Sequence, residues 1–403
     1  MPAERLSDMA KSLTNINSAE SFMHRKVGEM VIGRLQPVDV KAVLADRDQK
    51  RDLGIYVHIP FCTEICSFCA FHREVARPGR QDAYVETLVT HMDDILGGLS
   101  TAQPVDSIYF GGGTPGLLRA GEVEKLLSTI SQRVDIKDSR VTFELHPQDV
   151  NREYIAELSS VGVARFSVGV QNLSDAERSV LNRGLTSANQ DIAKLKMLGD
   201  MGVVFNVDLM FGTPSQTFRS WGDTLKRLMD EAKPREITLY QYVNAYGAST
   251  RIDIERGILA RPGIAERHRM YDFAKRTLLE EGYKQTSVLT FSSSPEQRKR
   301  KLLNRGRDFI GLGPRTYSKI GRHFFINDAN TVDFVEGRDN ARFYGFTAPD
   351  WFSRISETAS VPTVNSSRAK DVLGSWESET IAQAYGVLYY ILNQQRIYRR
   401  TKS

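Results

Sequence analysis

Cys62, Cys66 and Cys69 are the chain's only cysteines, and their spacing, Cys-x3-Cys-x2-Cys, limits the chemistry open to them. An odd count, with no sign of an oxidising compartment, argues against a disulfide framework. A structural zinc site takes four Cys or His ligands, which His58 and His72 beside the loop would permit. Three inert buried thiols fit poorly, because Thr63, Glu64 and Ser67 lie between them. A four-iron cluster usually takes one thiolate per iron. Three thiolates leave one iron open to an outside ligand, which would bind there and receive an electron directly.

Such a loop has to be held by regular structure. "GIYVHI", residues 54–59, reads as a strand feeding it, being rich in β-branched and aromatic residues. Residues 80–98 have helical spacing, with Tyr84, Leu88, Val89, Met92 and Ile95 on one face. "VDSIYF" then runs into Gly111-Gly112-Gly113-Thr114-Pro115. The alternation continues with a helix at 120–133, a strand at 140–147, a helix at 151–161 and a strand at 164–170. Helices at 174–182 and 187–201, a strand at 203–209, a helix at 217–231 and a strand at 235–242 follow. Regular strand–helix alternation predicts parallel βαβ units. Polar residues recur at or just beyond strand C-termini, where sites of barrel folds collect: Glu144, Gln171, Arg183 and Asp208. The glycine run allows close backbone approach and leaves N–H groups for a polar ligand, although a tight strand-to-helix turn also accounts for it.

The stretch "YVHIPFCTEICSFC" resembles the radical SAM superfamily, and within it the coproporphyrinogen-dehydrogenase-like branch. That resemblance implies an α/β fold, an incomplete (β/α)6 barrel with a small C-terminal α(+β) region. It also implies a [4Fe–4S] cluster held by Cys62, Cys66 and Cys69, whose open iron is chelated by S-adenosylmethionine (SAM). "GGGTP" resembles the family's contact with the methionyl amino group, which points to Gly112, Gly113 and Thr114. Glu144 in "FELHP" is assigned by the same resemblance to the ribose or amino group of this SAM, with Tyr56 beside it. Phe68, Gln171, Arg183 and Asp208 are assigned to a second SAM, and Val243 in "YQYVN" to an adenosyl group. Arginine suits a carboxylate, and an acid suits a ribose diol. "DFIGLGPRTYS" resembles a further family segment and makes Tyr317 a candidate active-site residue. His58, Tyr240 and Tyr242 are candidate proton carriers, with bracing of the cysteine loop ranked above catalysis for His58.

Four reactions occur among such proteins. Coproporphyrinogen decarboxylation would use a pocket of arginines, for which Arg298, Arg300, Arg305, Arg307 and Arg315 are present. The decarboxylase's cysteine extension is absent from "CAFH", however. A haem chaperone would carry His-Asn-x-x-Tyr-Trp before "DFIGLG", where this chain has Leu303-Asn304. A haem-degrading radical methyltransferase has a similar cysteine loop. The two-SAM residues favour the fourth, a class C C-methyltransferase or cyclopropane-forming enzyme of natural-product biosynthesis acting on a conjugated or aromatic small molecule. A flavodoxin- or ferredoxin-type reductant and a monomer are the accompanying expectations.

The rest of the chain sets bounds. A net charge of +5, 41% hydrophobic and 26% charged residues are ordinary for a globular protein, and nothing points to nucleic acid or membrane. Residues 1–17 lack a leader's apolar segment, so a cytoplasmic location is expected. The expected organisation is an N-terminal helical extension over 1–50, with a helix at 20–34, and a core barrel over 51–245. A barrel extension over 246–330 and a C-terminal helical region over 331–403 follow, the latter either incomplete or covering the substrate differently from the family's.

Overall fold

A computed structural model describes residues 36–69, 71–244, 248–287, 289–294, 308–337 and 343–348. The expected helix at 20–34, the arginines from Arg298 to Arg307, the Leu303-Asn304 segment and the C-terminal helix around Trp376 lie outside them.

Six strands lie side by side in sequence order, all parallel: β1 (Leu53–Ile59), β2 (Ser107–Gly112), β3 (Arg140–Leu145), β4 (Val163–Gln171), β5 (Phe205–Phe211) and β6 (Glu236–Gln241). The connections carry helices: α1 (Arg80–Leu96), α2 (Ala120–Ser131), α3 (Arg152–Ser160), α4 (Asp175–Val180), α5 (Ala188–Asp200) and α6 (Phe218–Glu231). Side chains at the helix starts satisfy the unpaired backbone N–H groups there. Asn151 accepts from Tyr154 at the start of α3, and Ser187 and Gln190 form a reciprocal pair at α5.

The strands alternate, apart from register shifts at Val141/Thr142 and Gly169/Gln171. Ile55, Val57, Ile108, Phe110, Phe143, Phe166, Val168, Val207, Leu209, Ile237 and Leu239 point one way, into a core under the helices, and all are buried. The longer helices contribute apolar stripes to that core, such as Tyr84, Leu88, Met92 and Ile95 of α1, whereas α4 buries Glu177 and Arg178. The other face carries Tyr56, His58, Tyr109, Glu144, Arg165, Ser167, Asn206, Asp208, Glu236 and Thr238. Parallel sheets buried on both faces usually read as continuous apolar runs. Here the second face is polar, and it forms the lumen of an incomplete (β/α)6 barrel, as expected.

Helices α7 (Ser249–Glu255) and α8 (Ile264–Glu280) follow β6, and β7 (Thr290–Ser292) adds an antiparallel strand against it. At the other edge lies a strand the alternation did not predict. β8 (Asp308–Leu312) runs parallel to β1, with Gly311 opposite Tyr56. From it an antiparallel meander proceeds through β9 (Tyr317–Ile320), β10 (His323–Asn327) and β11 (Phe343–Thr347), with helix α9 (Thr331–Val335) inserted. α9 sets Phe334 against Tyr84 of α1, with ring centroids 5.5 Å apart. No helix among the described residues is long and apolar enough to cross a membrane.

Candidate functional site

The cysteine loop leaves β1 at the C-terminal end of the lumen, and it is fixed from several sides. Leu181 accepts from the Ser67 amide at 3.1 Å, Val180 accepts from the Ser67 hydroxyl at 2.8 Å, and Asn182 donates to Ile65 at 2.8 Å. The turn after α4 is thus docked on both sides of Cys66. From the opposite end of the barrel sequence, Thr250 of α7 donates to the Ser67 carbonyl at 3.0 Å through its hydroxyl. The downstream arm returns beside the loop, where Glu74 donates to Pro60 at 2.7 Å and Ala76 to Cys62 at 2.9 Å. Cys62 is buried, and burial pushes its thiol up to about 12 although Thr114 hydrogen-bonds to it. Cys66 and Cys69 are half-exposed.

Two glycines of the run have a geometric requirement. Gly112 has φ +121°, a region open to glycine, and a Cβ there would run into the His58 ring. A Cβ on Gly113 would stand 2.6 Å from the Phe61 carbonyl oxygen and 3.0 Å from Cys62 Sγ. The amides of Gly113 and Thr114 donate to Ile59 and Phe61, both at 2.7 Å. The run is therefore laminated onto the cysteine loop.

Glu144 stands across from it. Its carboxylate accepts from Tyr109 at 2.6 Å and from the Gly112 amide at 3.1 Å. Burial raises its carboxyl to about 7 against those two hydrogen bonds, with Asp208 adding repulsion. Asp208, also raised chiefly by burial, accepts from Ser167 at 2.9 Å and from Asn206 at 2.8 Å. Thr238 donates to Asn206 at 3.0 Å. Beneath them Arg165 and Glu236 form a buried pair, Nη2 to Oε2 at 2.5 Å. Burial and the charges of Glu144, Asp208 and Tyr240 hold the Tyr109 hydroxyl well above its usual range.

The sequence-derived candidates take distinct places. Tyr56 stacks on Tyr109 with centroids 6.0 Å apart. His58 is engaged at both nitrogens, with Tyr56 at 3.3 Å and the His72 carbonyl at 3.0 Å, which is a bracing geometry. Tyr242 is 1% exposed and donates to Thr250 at 3.0 Å, the residue that holds Ser67. Its hydroxyl thereby supports the loop through Thr250. Tyr240 and Val243 are exposed at the barrel rim, at 42% and 37%, and Phe68 is half-buried in the loop. Tyr317, opposite Gly311, packs edge-on against Phe309. Arg315 is paired with Asp328 at 2.7 Å.

Gln171 ends β4 with φ 69°, unusual for a side-chain-bearing residue, and its buried Oε1 has no hydrogen-bond partner. Arg183 is buried, with Nε lacking a partner and Nη2 donating to the Gly169 carbonyl. Its Nη1 lies 3.5 Å from Cys66 Sγ. The sequence reading missed Tyr109, Arg165, Ser167, Asn206 and Arg73. The first four share the lumen-facing register of Glu144 and Asp208, a signal the reading of strand C-termini did not use. Arg73 donates to Phe71 at 3.0 Å, has a buried Nε without a partner, and draws the Cys69 thiol down against the dominant effect of burial.

No three His, Cys, Asp or Glu side chains among the described residues gather tightly enough for a single metal ion, as Cys3His zinc would need. The donor set does fit an iron–sulfur cluster with SAM. There are three thiols on one anchored loop, a backbone pressed against them, and orphaned buried polar atoms on Gln171 and Arg183.

Comparison with known proteins agrees. Residues 56–228 match the model of the Radical SAM superfamily. The mitochondrial radical S-adenosyl methionine domain-containing protein 1 of Danio rerio is 29% identical over 71% of this chain and 65% of its own length. The match thus spans just under two thirds of that relative. The anaerobic coproporphyrinogen III oxidase 1 of Cereibacter sphaeroides is 26% identical over 73% of this chain and 68% of its own length. Among solved structures, the Escherichia coli coproporphyrinogen III oxidase HemN superposes with a TM-score of 0.66 at 23% identity, covering 78% of this chain and 76% of that one. Its fold is this fold. With the cysteine spacing, the glycine run and the polar lumen all in place, residues 56–228 form a radical SAM domain, in a chain similar to the HemN-like proteins of that superfamily, and such a domain implies a [4Fe–4S] cluster and SAM.

Proposed function

We propose that this chain is a radical SAM enzyme acting on a porphyrin-class substrate. The observation that carries the reading is a polar lumen capped by the anchored cysteine loop, in a chain similar over most of its length to a coproporphyrinogen III oxidase. That similarity favours a tetrapyrrole over the conjugated natural product expected from sequence. When bound, the cluster and SAM supply a carbon radical able to take hydrogen from an unactivated carbon.

The chain's own residues do the positioning. Cys62, Cys66 and Cys69 hold the cluster. The Gly112–Thr114 backbone and Glu144 seat the methionyl and ribose groups, with Glu144 already hydrogen-bonded to Gly112. Tyr56, stacked on Tyr109, forms an aromatic wall. The rim, with Tyr240 exposed, receives the substrate, and an external flavodoxin- or ferredoxin-type donor supplies the electron.

A second reading, methylene transfer from a second SAM, has one observation in its favour: Gln171 holds a left-handed backbone and an unpaired buried oxygen at the lumen's edge. Strain of that kind concentrates at functional sites. One experiment separates the two. The protein is reconstituted anaerobically with iron and sulfide, reduced with dithionite, and given methyl-deuterated SAM with or without coproporphyrinogen III or haem. Tetrapyrrole-dependent, unlabelled 5′-deoxyadenosine and a changed tetrapyrrole mass are expected. Deuterated 5′-deoxyadenosine with both tetrapyrroles untouched would overturn the proposal in favour of methylene transfer.

A further inference from the structure

We propose that Arg183, aided by Arg73, is a positioning residue of the iron–sulfur cluster: it donates an N–H to the Cys66 sulfur and eases the cluster's acceptance of an electron. The inference rests on the cluster reading above and departs from the second-SAM role that family resemblance gives Arg183.

Its basis is how strongly the fold delivers this side chain to Cys66. The hydrogen bonds from residues 180–182 grip Ile65 and Ser67, the two neighbours of Cys66. The Asn182 backbone, at φ 51°, turns the chain so that Arg183 follows immediately. The turn is itself anchored from below by the buried Arg178. That residue donates to Asp191 at 2.6 Å, to the Asn172 carbonyl at 3.1 Å and to the Thr186 carbonyl at 2.7 Å. Arg183 is 7% exposed. One terminal nitrogen is fixed on Gly169 of β4, which leaves the other 3.5 Å from Cys66 Sγ.

Arg73 reaches the same loop from its downstream arm. Its segment is tied down by the His72 carbonyl on His58 and the Glu74 amide on Pro60. Two guanidinium groups therefore accompany three thiols, one buried and two partly buried.

The consequence follows from charge. Reduction adds negative charge to a centre already ringed by thiolates. A fixed positive charge at low dielectric favours the more negative state, and hydrogen bonds to the sulfurs are a recognised means of setting cluster potentials. Loss of either guanidinium should make reduction harder.

The test uses the reconstituted full chain and reads the midpoint potential by EPR-monitored titration, together with iron and sulfide content. Arg183→Gln is expected to shift the potential negative at unchanged iron content. Arg183→Lys should give a smaller shift, since it keeps the charge and loses the fork. Arg73→Gln should shift it in the same direction. Arg73→Gln also keeps the proposal falsifiable if Arg183→Gln fails to hold a cluster. Potentials equal to wild type in the cluster-bearing variants, with loss confined to turnover or KM, would overturn the inference and return Arg183 to ligand binding. A wild-type chain that takes up no cluster would instead overturn the reading beneath it.

Discussion

The two halves of the lumen are built by different means. From β1 to β3 the site is made largely of backbone: glycines pressed on the cysteine loop, amides donating to Ile59 and Phe61, and Glu144 gripping an N–H. From β4 to β7 it is made of side chains. Ser167, Asn206, Asp208 and Thr238 satisfy one another, over the buried Arg165–Glu236 pair. A backbone-built site tolerates almost no added atom, whereas a side-chain network tolerates changes in volume but not the removal of a single charge.

That contrast can be broken or sharpened by three measurements. The largest effect is expected from Arg165→Met, which leaves Glu236 buried without its partner. Breaking such a pair costs about 3–5 kcal/mol, read as a lowered urea midpoint. Arg165→Met with Glu236→Leu should recover most of the loss. A single variant as stable as wild type would show that the pair does not organise this half.

Next in size is Gly113→Ala. Its methyl would meet the Phe61 carbonyl oxygen, backbone that has little room to yield. Overpacking of this kind costs about 1–3 kcal/mol, and iron uptake on reconstitution should drop with it. Gly121→Ala on α2, where a Cβ meets nothing within 4 Å, is the control and should retain both. Equal behaviour of the two variants would erase the distinction between the halves.

The smallest effect is a pH dependence. Glu144 is raised from 4.5 to about 7 by burial, so between those values the folded chain keeps a proton the unfolded chain releases. The stability it contributes is fully present below 4.5 and is lost as pH rises through 7. Glu144→Gln should flatten the fall in apo-protein Tm over about pH 5 to 8. Asp208, and Asp149 with its carboxyl near 6, are raised in the same direction and will keep part of the slope. A slope unchanged by Glu144→Gln would assign it to Asp208 and Asp149 instead.

The same contrast explains what could be read from the sequence. The cysteines and glycines announced themselves because backbone contact restricts residue type, and a restricted type at fixed spacing is visible in one chain. The six strands were legible from their alternation with amphipathic helices. Arg165 and Glu236 were not, because they are 71 positions apart and each alone looks like an ordinary surface charge. The partner of Tyr242 was hidden for a related reason: Thr250 arrives from the next helix. Arg183 was found, but its sulfur neighbour was not, since nothing in "LNRG" encodes the docking of that turn on Ile65 and Ser67. β8 read only as a family segment, with no strand assigned, because a strand's partner is not written in its own residues.

β8 also bears on how the molecule is made. It closes the outer edge of β1 with five paired positions from Asp308↔Leu53 to Leu312↔Val57. Asp308, fully buried, collects Arg47 at 2.9 Å and Arg51 at 3.2 Å, and Gly313 stands against the His58 backbone. Synthesis from the N-terminus therefore produces the cysteine loop some 250 residues, 308 against 53, before the strand that completes its support. Until then β1 is an open edge, the kind that pairs with other chains, and closing so long a loop is slow. Cluster loading would then follow the arrival of β8, and a nascent chain ending before Asp308 would display its three thiols on an unfinished frame.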